Sequence, residues 1–466
     1  MADDPTPAAT EAPPPGRVGH EVSFAEALRV FVRVAILSFG GPAGQIAVMQ
    51  RIFVDEKRWF SQRRFLHAMS YTMLLPGPEA QQLATYAGWM LHGWRGGLTA
   101  GSLFVLPGFL SILALSVLYV GFGEVAVVAA VFYGLKPAVL AIVLEALLKI
   151  GRRALHGGFM VTVAVVAFVA IFVFGVPFPW IVALALVAGL VGQRFLGERL
   201  MVIRPPADPA ATPEGSLFHD DDAAGARPPA WRTVSTVVLW LAIWWIPVGL
   251  LAASFGPESV FVEEGLFFSK TAVVTFGGAY AVLAYIAQQA VEVYAWLQPG
   301  EMLDGLAMAE TTPGPLIQVV QFVGFLGAHR NPGALDPLVA GVLGSLVTTW
   351  VTFAPCFLWI FAGAPYIEYL RGRRALTAAL STITAAVVGV VLNLALWFGI
   401  HTLFQETRQL GAPFDMTVPV LSTVDPAASA IAAVAFLALF RLRWGMFATL
   451  GICALLGVVH GLTIGS

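Results

Sequence analysis

The chain has 466 residues, of which 58% are hydrophobic and 12% are charged. A soluble domain of this length normally carries about twice that charged fraction, so the composition argues against a soluble globular protein. The formal net charge of −2 gives no reason to expect nucleic acid as a partner, and the only two cysteines, Cys356 and Cys453, lie far apart in apolar stretches, which argues against disulfides and thiolate metal sites.

The N-terminal segment, residues 1–22, is predicted to be a disordered cytoplasmic tail. It is rich in Pro and Ala, is acidic, and lacks the apolar core of a secretory signal peptide. We therefore expect membrane insertion to depend on the later apolar segments of the chain.

Apolar runs close to the length that crosses a bilayer recur along almost the whole remaining chain. The clear candidates for transmembrane helices are Leu98–Val120, Glu124–Leu148, Phe159–Gly175, Pro177–Gly192, Trp231–Ser254, Leu338–Ala362, Leu376–Phe404, Ala427–Phe440 and Trp444–Leu462. The sequence therefore predicts an all-α polytopic membrane protein embedded in a lipid bilayer.

The chain also contains an internal repeat. Ser38-Phe39-Gly40-Gly41 recurs in the second half as Thr275-Phe276-Gly277-Gly278, and Pro76-Gly77-Pro78 recurs at the same offset as Pro313-Gly314-Pro315. Beyond the loop at 328–337 a larger offset aligns Pro107 with Pro355. A duplication followed by one loop insertion explains both offsets.

The repeat divides the chain into six predicted units. The linker is rich in Pro, Ala and charge, and its Asp220-Asp221-Asp222 run is interpreted as part of a solvated loop rather than as a cation site. The six units are the tail (1–22), the N-terminal repeat (23–196), the cytoplasmic linker (197–230), an inverting transmembrane helix (231–260), the C-terminal repeat (261–404) and a C-terminal transmembrane hairpin (405–466).

Positive charge marks cytoplasmic loops, and the two halves differ in it. The strongest cluster is Arg51, Lys57, Arg58, Arg63 and Arg64, whereas its counterpart, Glu292–Glu301, has no Lys or Arg. The preceding segment, interpreted as a loop with Glu258, Glu263 and Glu264, has none either. This contrast predicts two inverted repeats whose broken or re-entrant helices enter from opposite sides. The N-terminus is then cytoplasmic and the C-terminus periplasmic.

The repeated glycine and proline motifs are predicted to break helices at a substrate-binding site. Proline lacks the amide donor, glycine tolerates unusual dihedral angles, and freed backbone groups in lipid must face protein or a wet cavity. Paired broken helices in two inverted repeats are typical of a transport site, and their N-terminal ends suit an anion. The alternative is that the glycines only permit close packing and the prolines only shape hairpins.

Polar residues around these breaks complete the predicted site. Arg33 and Lys270 occupy equivalent positions and are expected to neutralise a dianion, unless each extends to the membrane interface. Gln81 and Gln318 are expected to donate hydrogen bonds to oxyanion oxygens or, alternatively, to serve only in packing. The predicted substrate-binding set is Arg33, Phe39, Gly40, Gly41, Gln45, Pro76, Gly77, Pro78, Gln81, Lys270, Phe276, Gly277, Gly278, Thr312, Pro313, Gly314, Pro315 and Gln318.

Three carboxylates are candidates for proton coupling, Glu79, Glu145 and Glu310, because a buried carboxylate can carry protons. Glu145 has an alternative structural role in an ion pair with Lys149, one helical turn further on, or with Lys136. Trp59 and Trp296 are interpreted as anchors at the membrane interface.

The motifs of several enzyme classes are missing from the sequence. None of the four lysines follows a P-loop glycine pattern, the eight histidines show no metal-ligand spacing, and no nucleophile elbow is present. We therefore expect neither an enzyme nor a bound metal or cofactor.

At the residues of the broken helices the sequence resembles the chromate transporter family, in its long form with two halves. The matching stretches are 38–46, 75–86, 275–280 and 310–315, and the similarity runs from about Phe24 to Phe404. Gln45 stands where many members of the family carry His. The resemblance implies a bacterial inner-membrane protein that exports chromate from the cytoplasm and confers resistance, with its halves in opposite orientation.

Export of chromate by a secondary transporter, with protons as a candidate coupling ion, is the function expected from the sequence. Sulfate has nearly the same shape and charge, so a sulfate transporter is the first alternative. A passive anion channel is an alternative of another class, and a lipid-modifying enzyme comes third. The expected partners are a chromate-like or sulfate-like oxyanion and lipid, and a homodimer is one possible assembly.

Overall fold

The structure is a computed structural model that describes residues 22–123, 125–196, 229–276, 279–366, 374–411 and 416–464. Nearly all of these residues are helical. The helices are α1 (Phe24–Leu37), α2 (Gly41–Gln50), α3 (Gln62–Thr72), α4 (Glu79–Phe122), α5 (Ala126–Ala154), α6 (Gly158–Phe174), α7 (Phe178–Leu196), α8 (Ala230–Phe255), α9 (Val260–Val274), α10 (Ala279–Gln288), α11 (Glu301–Thr311), α12 (Val319–Arg330), α13 (Pro337–Gly363), α14 (Arg374–Leu403), α15 (Pro426–Phe436) and α16 (Met446–Ile464).

Within the described ranges, seven helices are long and apolar enough to cross a membrane, namely α4, α5, α7, α8, α13, α14 and α16. They coincide with seven of the nine predicted transmembrane segments. The other two predicted segments, at Phe159–Gly175 and Ala427–Phe440, are also helical but shorter. The expectation of an all-α polytopic membrane protein is confirmed. The predicted tail and almost all of the predicted linker lie outside the described residues.

One small antiparallel sheet interrupts the helical fold. Strands β1 (Thr407–Leu410) and β2 (Met416–Pro419) pair with Thr407 opposite Pro419, between α14 and α15. The sequence analysis predicted no strands, and these two lie within the unit predicted as a C-terminal transmembrane hairpin.

The α1–α2 segment folds back on itself. The Lys57 ammonium, just after α2, lies 2.8 Å from the Glu26 carboxylate at the start of α1. The Arg33 guanidinium lies 2.6 Å from the Glu56 carboxylate. The two ends of this segment are therefore side by side, and the Phe39-Gly40-Gly41 break is at the tip of the hairpin.

A second hairpin follows, formed by α3 and the first part of α4. The Arg64 side chain, early in α3, donates to the Tyr86 hydroxyl at 3.3 Å. The chain then reverses inside α4, where His92 and Gly93 leave the helical conformation and Gly93 has φ +58°. The backbones of Gly88 and Gly96 are in close contact across this reversal. The Pro76-Gly77-Pro78 motif therefore lies at the tip of a hairpin as well.

The second half repeats the first hairpin and its aromatic packing. The rings of Phe31 and Trp59 lie 6.2 Å apart, and those of their counterparts Phe268 and Trp296 lie 5.9 Å apart. Both tryptophans are almost fully buried, with 2% and 1% of their surface exposed. The interpretation of Trp59 and Trp296 as interfacial anchors is therefore wrong, because each ring packs inside the protein, against the first helix of its hairpin.

The turn before each buried tryptophan has an unusual local structure that the sequence analysis did not identify. A short π-helix, Arg51–Glu56 in the first half and Gln289–Val293 in the second, is followed by a non-glycine residue with positive φ, Arg58 or Ala295. The same sequence of features occurs a third time, with π-helix Leu437–Arg441 and Arg443 before Trp444. The turn that joins α15 to α16 is thus of the same kind as the turns that join α2 to α3 and α10 to α11.

The segment with Glu263 and Glu264 is not a loop, as the sequence analysis assumed, but the first part of helix α9. Ser259 has the extended conformation of a residue just before a helix, and the following apolar residues pack into the core. Glu263 is exposed, whereas Glu264 is completely buried.

Helix α16 packs against α5 through glycines, and a substitution at one of these glycines tests how much this contact contributes to stability. A Cβ atom at Gly457 would lie 2.7 Å from the Gly134 backbone nitrogen, whereas nothing lies within 4 Å of Gly451 on the same helix. We expect Gly457→Val to lower the free energy of unfolding by about 1–3 kcal/mol. Thermal unfolding in detergent, with Gly451→Val as the control, measures this difference. Equal effects of the two substitutions would contradict it.

Candidate functional site: the junction of the helix breaks

The helix breaks of the two halves meet and hydrogen-bond to each other. The Gly77 amide donates to the Thr275 carbonyl oxygen at 2.8 Å, and the Gly314 amide donates to the Ser38 carbonyl oxygen at 2.8 Å. Ser38 and Thr275 correspond in the repeat, as do Gly77 and Gly314, so the two bonds are equivalent with the halves exchanged. We call this meeting point, formed by residues 38–41, 76–78, 275–276 and 313–315, the junction.

Glycine is required at the junction by backbone conformation. Gly40 and Gly41 have φ values of +77° and +76°, and Gly77 and Gly314 have φ values of +107° and +111°. A side chain at such angles is strained, whereas glycine adopts them freely. The counterparts Gly277 and Gly278 lie outside the described residues.

The prolines set where the next helices start. Pro78 and Pro315 have extended backbone conformations immediately before α4 and before the short helical turn Leu316–Gln318. Backbone amides that a helix break leaves without a partner are costly in an apolar environment. The two hydrogen bonds between the halves give a partner to two such amides. Each half therefore completes the backbone hydrogen bonding of the other.

Long helices from the opposite half pack on both Pro-Gly-Pro turns. A Cβ atom at Gly77 would lie 2.9 Å from Cys356 Sγ on α13, and one at Gly314 would lie 3.1 Å from Gly108 Cα on α4. Gly108 and Cys356 directly follow the corresponding prolines Pro107 and Pro355. Each Pro-Gly-Pro turn thus packs against a long helix of the other half, just as it hydrogen-bonds to the other half.

Buried glutamines surround the junction, and several of their amide atoms have no partner among the described residues. Gln81 is fully buried, and neither its Nε2 nor its Oε1 has a hydrogen-bond partner. Gln45 donates through Nε2 to the Gly314 carbonyl at 2.6 Å, and its Oε1 has no partner. Leaving a buried polar group unpartnered costs about 1–3 kcal/mol, so these atoms carry an energetic cost that a hydrogen-bonding partner would remove.

The counterpart of Gln81 in the second half is engaged instead. Gln318 donates through Nε2 to Gln321 Oε1 at 2.7 Å and to the Thr349 hydroxyl at 3.2 Å. Gln82 donates to the Pro76 carbonyl at 2.6 Å. Gln82 and Gln321 were not among the residues predicted from the sequence. Their position, one helical turn or less from the predicted Gln81 and Gln318, is the sequence feature that could have identified them.

The three candidate proton carriers have different environments. Glu79 is the first residue of α4, is buried, and makes no hydrogen bond within the described part of the chain. Glu310 is buried and accepts a 2.5 Å hydrogen bond from the Tyr280 hydroxyl. Glu145 forms a 2.6 Å ion pair with Lys149, the structural alternative named above. Lys136 lies instead 3.4 Å from Asp304.

The two predicted cations do not reach the junction. Arg33, whose side chain is 49% exposed, pairs with Glu56, and Lys270 is exposed with its ammonium 5.7 Å from the centre of the Tyr285 ring. Neither hydrogen-bonds to a described residue of the four breaks. The reason is geometric, since each lies along the outside of a hairpin whose tip is the break.

Three further predicted residues, Phe39, Phe276 and Thr312, lie in the junction or directly beside it. Phe39 is half-buried against Phe447 of α16, with 5.7 Å between the ring centres. Phe276 packs on the main hydrophobic core. The buried Thr312 hydroxyl makes a long 3.5 Å hydrogen bond to the Ala309 carbonyl.

Comparisons with known proteins agree on one family. Residues 25–190 and 262–458 match the sequence profile of the family described as chromate transporters. The chain is 31% identical over 391 residues to a chromate transport protein of Pseudomonas aeruginosa, covering 83% of this chain and 82% of the relative. It is 28% identical over 368 residues to a chromate transport protein of Cupriavidus metallidurans, covering 78% and 79%.

Two further relatives carry less specific names. The chain is 25% identical to a probable chromate transport protein of Synechococcus elongatus, covering 82% of this chain and 86% of the relative, and 28% identical over 126 residues to an uncharacterized transporter of Bacillus subtilis, covering 27% and 64%. No solved structure matches the chain. With a profile match over most of its length and a full-length relative at 31% identity, the chain belongs to the chromate transporter family.

Proposed function

We propose that this protein is a secondary transporter that exports chromate from the bacterial cytoplasm across the inner membrane. The observation that carries this proposal is the reciprocal pair of hydrogen bonds, Gly77 to Thr275 and Gly314 to Ser38, which joins the broken helices of both halves beside unpartnered amides. The names of the full-length relatives supply the substrate.

The junction suits a tetrahedral dianion. Helices α2 and α4 both begin at it, and the N-terminal end of a helix presents free amides and a partial positive charge. The Gln81 amide is a further donor with no competing partner among the described residues. Such a site binds an oxyanion mainly through neutral dipoles. It therefore needs no buried cation, which would be costly whenever no anion is bound.

We also propose that the two halves are inverted in the membrane. Arg64, early in α3, contacts the first part of α4, before the reversal at Gly93. Asp304 occupies a similar place early in α11, yet it accepts a 2.9 Å hydrogen bond from Tyr119 at the far end of α4. Helix α4 beyond Gly93 is long enough to cross a bilayer, so this pairing supports opposite sides for the starts of α3 and α11.

The membrane potential favours export in this arrangement. Moving two negative charges out of a cell whose interior is negative by about 100 mV releases roughly 4.6 kcal/mol. Uptake of labelled chromate by everted vesicles, with and without an imposed potential, tests the function. A rate of chromate uptake that does not depend on the potential contradicts electrogenic export. Competition by sulfate in the same vesicles measures the anion selectivity.

Arg33 and Lys270 are proposed to attract the anion at the entrances rather than to bind it at the junction. We expect the double substitution Arg33→Ala, Lys270→Ala to raise the half-saturating chromate concentration about tenfold at low salt and less at high salt. Arg29→Ala, which removes an exposed charge one helical turn from Arg33, is the matched control. The role of the two cations is refuted when the double variant and the control show the same half-saturation.

A further inference from the structure

Glu264 carries a carboxyl group that is buried between three helices and has no hydrogen-bond partner in the described part of the chain. It lies on α9 and is completely buried, and neither oxygen has a partner among the described residues. Glycines make room for it, because a Cβ at Gly327 on α12 would lie 2.9 Å from Oε1 and one at Gly344 on α13 would lie 2.9 Å from Oε2. The pocket around the carboxyl group is therefore built into two helix crossings.

Such a group is costly unless it has a use. A buried, unpaired carboxylate loses its hydration without compensation, so burial favours the neutral, protonated form. Even that form leaves a donor and acceptors unused, and an apolar side chain of similar volume would be more stable. The first half supplies this comparison, since the corresponding position is the buried Ala27. The fold thus accepts a small apolar residue where the second half carries an acid.

The acid sits on a helix that leads directly to the junction. Glu264 lies in the first part of α9, and Thr275 directly follows the helix, about 16 Å away at the rise of an α-helix. The Thr275 carbonyl accepts the hydrogen bond from the Gly77 amide. Charging Glu264 demands hydration or a partner, which requires α9 to move against Gly327 and Gly344. The junction is at the other end of the element that must move.

A cover of polar contacts lies over the same end of α9. Trp296 contacts the Gly327 position beside Glu264. The Trp296 carbonyl accepts a 2.8 Å hydrogen bond from Arg330, and Arg330 also forms an ion pair with Glu301 at 2.7 Å. The Arg330–Glu301 ion pair is therefore connected to the pocket of Glu264 through Trp296.

The neighbouring titratable groups do not provide a counter-charge. The adjacent Glu263 is exposed and has the same sign, so its charge also disfavours ionised Glu264. The other titratable groups on α9 and on the helices packed against it are Arg232 on α8, Lys270 on α9, Tyr280 and Tyr285 on α10, His329 and Arg330 on α12, and Asp336 and Cys356 at and within α13.

We propose that Glu264 carries the proton that is exchanged for chromate, an inference that rests on the proposed function. The acid takes up one proton from the periplasmic side when the cover opens, and it releases that proton toward the cytoplasm after α9 moves. One dianion leaves the cell as one proton enters. Among the buried acids of the described chain, Glu310 accepts a hydrogen bond from Tyr280 and Asp304 accepts one from Tyr119. Glu79 also lacks a hydrogen bond, but it is 9% exposed, whereas Glu264 is fully buried and neither of its oxygens has a partner.

The test uses everted vesicles with an acidic lumen, which corresponds to an acidic periplasm. We expect the pH gradient to accelerate chromate uptake by the unmodified protein and by the control Glu263→Gln. Glu264→Gln, which mimics the protonated acid, is expected to lose this acceleration and to keep normal chromate binding by the detergent-solubilised protein. Because all three proteins meet the same anion species, protonation of chromate itself does not affect the comparison.

Two results would overturn the proposal. One is a Glu264→Gln variant that responds to the pH gradient like the Glu263→Gln control. The other needs no variant: a pH-sensitive dye shows no proton movement during potential-driven chromate uptake by the unmodified protein. Absence of any chromate uptake by the unmodified protein is a separate result, because it refutes the proposed function rather than the role of Glu264.

Discussion

Replacing Gly314 by alanine is expected to reduce chromate uptake to background and to lower the free energy of unfolding by about 1–3 kcal/mol. At a φ of +111° a Cβ atom is strained, and here it would also lie 3.1 Å from Gly108 Cα, a backbone atom that cannot move aside by rotation. The turn shifts, and the hydrogen bond from the Gly314 amide to Ser38 is lost. Vesicle uptake and thermal unfolding measure the two effects.

A matched control separates the junction from backbone strain in general. Gly333 also has a positive φ, +60°, but nothing lies within 4 Å of the Cβ position. Gly333→Ala is expected to transport normally with a smaller loss of stability. The reciprocal variant Gly77→Ala should reproduce the Gly314→Ala defect, since its Cβ meets Cys356. Normal transport by either junction variant would show that the contact between the halves is dispensable.

The repeat explains why these two glycines act together. A single broken helix leaves amides without partners in its own half, and in this fold the partner is the carbonyl that precedes the break in the other half. Neither half satisfies its backbone alone. A change at one Pro-Gly-Pro turn therefore disturbs the Phe-Gly-Gly hairpin of the opposite half, although the two motifs are far apart in the sequence.

The positions of the breaks could be predicted from the sequence because glycine and proline act locally. Gly40, Gly77 and Gly314 do adopt positive φ values, and the repeat offset pairs Gly77 with Gly314. The seven long helices follow from apolar length in the same way. These features depend on residues within one or two turns of each other.

What the sequence could not reveal depends on contacts between distant segments. Arg33 looked like an unpaired intramembrane charge, but the hairpin brings Glu56, 23 residues later, to its side chain. Trp59 looked like an interfacial residue in the sequence, where charged residues surround it, whereas the turn buries its ring. Glu264 lies next to the exposed Glu263, and only the packing of α12 and α13 distinguishes the two acids.

Gln81→Met is expected to weaken chromate binding about 10- to 100-fold while leaving the protein at least as stable. A hydrogen bond to a charged group contributes roughly 1.5–3 kcal/mol, and about 1.4 kcal/mol corresponds to a factor of ten in affinity. Both amide atoms of Gln81 lack partners among the described residues, so methionine removes an unsatisfied group and keeps the volume. Calorimetric titration with chromate and thermal unfolding give the two quantities.

The counterpart in the second half should behave differently, which makes the prediction specific. Gln318 already donates to Gln321 and Thr349, so Gln318→Met is expected to lower stability more and chromate binding less than Gln81→Met. Gln62→Met, which removes the acceptor of a 3.2 Å hydrogen bond from Gln50, is the control for loss of a glutamine elsewhere. If Gln81→Met bound chromate normally but unfolded more easily, its amide would be a packing group, and the anion site would have to be formed by the helix ends alone.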